Sequence, residues 1–152
     1  MSATGLDVFD KTLHETNRWL KVVMETLKTD NRRHAFAALR ATLQVLRDRI
    51  GPNNAVHLGA QLPMLLRGAY YEGWHPAGTP TRERHVENFI AHVASKLPRD
   101  LQLDAEHAAR ASLAALAECV DPGEVAKVAE LLPLEIRGLW PRGLVEQSGS
   151  SH

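Results

Sequence analysis

The sequence Leu-Pro-x-x-x-Arg-Gly occurs twice, at residues 62–68 and 132–138, 70 positions apart. Sliding residues 30–71 onto 100–141 without a gap aligns twelve identical residues in 42 positions. Asp30, Ala35, Arg40, Leu43, Leu46 and Pro52 are among them, beside the motif residues. A chain rich in Ala and Leu gives roughly three or four by chance, so the chain reads as a duplication. Solenoid repeats are shorter than this. The spacing therefore points to two similar units at 5–75 and 76–142, with 143–152 as a flexible tail.

The period within each unit is helical. Phe9, Leu13, Thr16, Leu20, Val23 and Leu27 step by three and four, which predicts a helix over 7–28 with that face inward. Asp30-Asn31 is a capping signal, and Phe36, Leu39, Leu43, Leu46 and Ile50 mark a second helix near 31–50. Gly51 stops it, and Pro52 suits the first turn of a third, running to about Gln61. Pro63 breaks that helix and starts a short fourth, to about Tyr71. Gly73 to Pro80 is dense in Gly and Pro and reads as the linker. The second unit follows the same scheme: a helix over 81–97, one capped by Asp104, one opened by Asp121-Pro122-Gly123-Glu124 as a capping box, and a last at Pro133. No stretch alternates in the manner of a strand. The expected fold is all-α, two tandem four-helix units packed as one compact domain.

The first motif extends to Gln61-Leu62-Pro63-Met64-Leu65-Leu66-Arg67-Gly68-Ala69-Tyr70-Tyr71-Glu72-Gly73-Trp74. With the second copy it resembles the bacterial domain-of-unknown-function 2267 family, over residues 5–142. That resemblance implies an all-helical double unit and carries no catalytic residues.

At 152 residues and 44% hydrophobic content the chain can bury a sizeable core. Cys119 is the single cysteine, so no intrachain disulfide forms, which fits a reducing compartment. The first residues lack a basic and an apolar region, and no apolar run approaches the roughly 18 residues that span a bilayer. The expectation is a soluble cytoplasmic protein without a membrane partner. Net charge is zero but uneven: residues 1–76 hold ten Lys/Arg and seven Asp/Glu, and residues 77–152 hold eight and eleven. The halves can attract each other, or one molecule's first half can meet another's second.

Pro63, Arg67 and Gly68, with Pro133, Arg137 and Gly138, read as scaffold. Each arginine is placed to satisfy carbonyls at a helix end, with the next glycine as a left-handed cap. Tyr70, Tyr71, Trp74 and His75 are candidates for an interface or ligand surface, because Trp140-Pro141 stands where Tyr70-Tyr71 would repeat. The other reading places them in the seam between the units. Arg33, Arg40 and Arg47 step by seven and offer a basic stripe to a polyanion such as nucleic acid. The zero net charge weakens that reading. Eight histidines are scattered without metal-ligand spacing, and no phosphate-cradling loop or nucleophile elbow is present. Catalytic residues, metal and cofactor are therefore none expected. The function read from sequence is a non-catalytic protein-interaction or self-association module, with a possible homodimer or an unknown protein as partner. The alternatives are polyanion binding through the arginines, and a small-molecule or enzymatic role in a groove between the units.

Overall fold

The computed structural model describes residues 2–143, and among them are eight α-helices, one 3-10 turn and no strand. Apart from Gly143, the tail expected at 143–152 lies outside the described residues. Helix α1 (Asp7–Leu27) ends on Lys28 in the left-handed region, at φ 58°. Helix α2 (Arg32–Ile50) starts on Asn31, whose side-chain oxygen accepts the N–H groups of Arg33 and His34 at 3.0 and 3.2 Å. That satisfies two of the donors that a helix start leaves open. Gly51, at φ 87°, turns the chain straight into α3 (Pro52–Gly59). Pro63 is extended at ψ 153° and precedes α4 (Met64–Tyr71). The 3-10 turn at Pro76–Gly78 lies in the expected linker.

The second half holds α5 (Val86–Lys96), α6 (Ala105–Cys119), α7 (Pro122–Glu130) and α8 (Leu134–Arg137). Helix α5 begins five residues later than its sequence predicts. Its N-terminus is capped from a distance: the Glu135 carboxylate on α8 accepts the Val86 N–H at 3.1 Å. Asp104 caps α6 through the His107 N–H at 2.9 Å, and Asp121 caps α7 through Gly123 at 3.1 Å. The expected capping box is only half made, because Glu124 turns away to His57 Nε2 at 2.8 Å.

Helices α2 and α6 form the centre and are packed against each other. Ala35, Ala38 and Ala41 of one and Ala108, Ala111 and Ala115 of the other are buried, and such small side chains let backbones approach closely. Helices α1 and α5 each pack on both α2 and α6. Helices α3 and α4 lie on α2, α3 also touches α7, and α8 rests on α5.

The inward face read for α1 is only partly covered. Thr16, Leu20 and Val23 are buried, whereas Phe9 and Leu13 are exposed. Phe36, on the apolar face that marks α2 in the sequence, is exposed as well. Helix α1 spans 21 residues, about 31 Å at 1.5 Å per residue, and in its first turns Thr12 is buried against α4 while Phe9 and Leu13 stay open.

The arginines of α2 form a clamp rather than a free basic stripe. Arg47 is 2% exposed and donates to the carbonyls of Tyr70 at 2.7 Å and Glu72 at 3.1 Å. Its other nitrogens pair with Asp48 at 2.8 and 3.2 Å. One turn earlier, Gln44 donates to the Ala69 carbonyl at 2.8 Å, and another turn back Arg40 pairs with Glu72. Gln44 and Arg47 together satisfy carbonyls at the C-terminus of α4, which has no glycine cap. Replacing Arg47 with Ala strands these acceptors and leaves Asp48 without its partner. The substitution is expected to lower unfolding free energy by about 3 kcal/mol or more, read by denaturant titration. A variant as stable as the parent would show that the clamp holds nothing.

Candidate functional site

In both Leu-Pro-x-x-x-Arg-Gly segments the arginine bonds carbonyls near the end of the preceding helix, with different nitrogens on the two acceptors. Arg67 Nε donates to the Gly59 carbonyl and a terminal nitrogen to that of Leu62, both at 2.9 Å. Arg137 reaches Leu132 at 2.9 Å and Glu130 at 3.1 Å. Each arginine thus ties off the helix before its own, α3 or α7. The expected left-handed glycines are not found. Gly68 lies inside α4, and Gly138 has φ −61°. No Cβ clash threatens Gly68 either, so nothing in the structure explains that glycine.

The aromatic candidates separate. Tyr70 is fully buried and donates its hydroxyl to the Ala55 carbonyl at 2.7 Å. Burial pushes that hydroxyl well above its usual range, so it stays protonated. Tyr70 is therefore corrected from a surface candidate to a core residue. Tyr71 is half-buried, edge-on to Tyr70 at 4.9 Å and tilted against Trp74 at 5.3 Å. Its ring also lies on Gly59, where a Cβ would come within 2.7 Å of Cζ. Trp74 packs partly against the core, and His75 is exposed beyond it. These rings close the corner between α3, α4 and the linker.

The three arginines do not present one surface. Arg47 is inside, Arg40 is paired with Glu72, and Arg33 meets Asp100 at 3.0 Å. Across the halves, Arg33–Asp100, Arg49–Glu83 (4.0 Å) and His57–Glu124 (2.8 Å) each set a first-half cation or histidine on a second-half acid. The charge asymmetry of the sequence is thus spent partly within the molecule. The exposed pairs among them contribute little each. His85 and His92 also find acids, Glu135 at 3.1 Å and Glu83 at 2.9 Å.

A cleft of about 370 Å³ opens between α1, the α3–α4 junction and the end of α6, with His14, Arg18, Gln61 and Cys119 in its walls. Its chemistry is poor for covalent work. Burial pushes the Cys119 thiol up, with Arg18 opposing it, so the reactive thiolate is scarce at neutral pH. Among the described residues no three His, Cys, Asp or Glu side chains gather as a metal site, and no helix is long and apolar enough to cross a membrane.

What the sequence reading missed is an open apolar groove. Phe9, Leu13, Phe36, Met64 and Leu65 are between 37% and 51% exposed and contiguous across α1, α2 and α4. The Leu65 N–H donates to the Thr12 hydroxyl at 3.2 Å, which pins the start of α4 against α1. Two sequence signals pointed there. The α1 stripe continues in register to Phe9, and Met64-Leu65-Leu66 cannot all face inward on one short helix. Only Leu66 does.

The family profile described as Uncharacterized conserved protein (DUF2267) matches residues 16–139. No curated protein matches the chain.

Gly59→Ala forces Tyr71 off its seat, and its expected cost is about 1–3 kcal/mol by thermal or denaturant melting. Unchanged stability would show that the ring swings free. Acid should also weaken the fold. Glu135 is held below its ordinary carboxyl range by the Val86 N–H first and His85 next. A depressed folded value gives stability that is present above pH 4.5 and lost as pH falls through the lowered value. Glu135→Gln keeps an acceptor but not the charge. Its melting midpoint should fall less than the parent's between pH 6 and the carboxylate range, and an equal fall would refute the assignment.

Proposed function

We propose that this chain, which belongs to the DUF2267 family, is a non-catalytic helical module that acts by binding protein through the groove on α1, α2 and α4. One observation carries the reading: five large apolar side chains stand together, open to water, along two adjoining hollows, whereas Val56 and Leu134 are exposed away from them. Scattered exposed leucines are ordinary, whereas a contiguous patch on a water-exposed face marks an interaction surface. The lone Cys119 and the want of a membrane-spanning helix among the described residues suit a cytoplasmic module.

Two tandem units, 5–75 and 76–142, underlie this reading. Positions 70 apart are buried alike: Leu43 and Leu113, Leu62 and Leu132, Leu66 and Ile136, Tyr70 and Trp140. Helix α1 packs on α6 as α5 packs on α2, the pattern of an approximate twofold relation. On this plan the groove is an addition of the first unit. Residues 77–85, opposite 7–15, hold a 3-10 turn and non-helical chain. Glu135, which caps α5, stands where Leu65 would repeat. A surface that one unit adds to a shared scaffold is not required for folding, and this is where selection for binding can act.

Phe9→Ser/Met64→Ser removes the groove's two flanks without touching a buried residue. Its melting temperature should stay close to that of the parent. Cross-linked co-purification from the native cell should recover protein with the parent chain, further copies of it or another polypeptide, that the variant loses. Identical recovery with both would refute the reading.

A further inference from the structure

A separate hollow, of about 300 Å³, opens between the end of α1 at Thr26, the middle of α6 and the chain after α8. Arg110 and Arg142 both line it, beside Ala114, Leu139, Trp140 and Pro141, and no acid does. Arg110 is already held in place: Nε meets the Glu106 carboxylate and one terminal nitrogen the Gly138 carbonyl, each at 3.1 Å. Its other terminal nitrogen has no partner among the described residues. Arg142 is exposed and, among the same residues, has no acid within 4.0 Å.

The positions 70 residues earlier show why the hollow is open. Gln44 stands there for Ala114, and Glu72 for Arg142. Gln44 crosses to the Ala69 carbonyl at 2.8 Å, and Glu72 pairs with Arg40. Alanine in place of the glutamine leaves that crossing unfilled in the second half. Arginine in place of the glutamate sets a second cation at the hollow where the first half has an acid. Two like charges at one site favour an anion between them.

We propose that this hollow binds a phosphate monoester with a small apolar body, its phosphate on Arg110 and Arg142 and its body against Leu139, Trp140 and Pro141. Each part of the ligand answers a part of the lining. Arg142 brings a full guanidinium fork and Arg110 its free terminal nitrogen, donors whose geometry matches phosphate oxygens. A monoester carries about 1.5 to 2 negative charges at neutral pH, enough to engage two cations, whereas a carboxylate carries one. The rest of the lining is apolar, and Leu139 and Trp140 are 1% and 2% exposed, so they form a packed wall. Ligand sites run from about 300 to 1,000 Å³, and a hollow at the lower end suits one ring or a short chain. The hollow shares no lining residue with the apolar groove, so the two assignments stand or fall separately.

Amide chemical-shift titration of the full, isotope-labelled chain tests this with phenyl phosphate, inorganic phosphate and benzoate. Phenyl phosphate should give saturable shifts centred on Arg110, Ala114, Trp140 and Arg142, with a dissociation constant of about 1 mM or tighter. Inorganic phosphate lacks the ring and benzoate the second charge, and each should bind at least about 10-fold more weakly. Two variants copy the first half. Arg142→Glu gives Arg110 an acid, as Glu72 does for Arg40, and Ala114→Gln fills the hollow. Both should stay folded, because Arg142 is exposed and Ala114 only half-buried. Each should weaken phenyl phosphate by about 10-fold or more. Shifts that do not saturate, or that centre elsewhere, overturn the site. Inorganic phosphate as tight as phenyl phosphate overturns the apolar body, and benzoate as tight overturns the phosphate. Binding unchanged in Arg142→Glu overturns the arginine pair, and binding unchanged in Ala114→Gln overturns the hollow.

Discussion

The buried guanidinium of Arg47 is the constraint on which the first half depends. A charge at that depth is tolerated only when each of its donors has a partner. Asp48 supplies the charge, and the ends of α4 and the following turn supply carbonyls from Tyr70 and Glu72. The demand runs both ways. Helix α4 ends without a glycine cap, so its last carbonyls need Gln44 and Arg47 as much as Arg47 needs them. In the second half Ala114 and Ala117 stand at the matching positions, and only Arg110 reaches across, to the Gly138 carbonyl at 3.1 Å. Helix α8 is correspondingly short, four residues against eight in α4.

That clamp has a consequence at the other end of α4. With its C-terminus held on α2 and Leu66 and Tyr70 turned into the core, the first turn of the helix has one direction left for Met64 and Leu65. They face outward beside Thr12 and Leu13 of α1. The first turns of α1 carry the apolar stripe on to Phe9 and Leu13, which stay open beside α4. The groove is therefore a joint product of a short helix fixed at one end and a long helix whose first turns lie beside it. Neither element makes it alone. Much of the chain's remaining polarity is absorbed internally, by arginines on carbonyls and by histidines on carboxylates, so the groove stands out as surface the fold leaves unanswered.

Several residues were legible because their signal is local. Asn31, Asp104 and Asp121 cap helices as their sequence contexts say, and Pro52, Pro63, Pro122 and Pro133 sit at or beside first turns. Others misled for a physical reason. A spacing of seven places Arg33, Arg40 and Arg47 on one helical face, but does not say that α4 ends against two of them. Gly68 and Gly138 look like caps because they follow a basic residue, yet each arginine serves the preceding helix. Tyr70 and Tyr71 are neighbours in sequence and point apart, and only packing decides which is inside.

Sequence alone determined the helical period, the break points, most of the caps and the family to which the chain belongs, because these depend on residues a few positions apart. It also carried the motif whose arginine, in both copies, bonds carbonyls near the end of the preceding helix. Tertiary structure decided which apolar residues are core and which are surface. Phe9, Leu13 and Phe36 have the same periodicity as the buried residues of their helices. Their exposure follows from where neighbouring helices begin and end, and periodicity holds no information about that. The same holds for charge: Arg47 and Arg33 are one residue type on one helix, and burial against α4 separates the core clamp from the exposed pair.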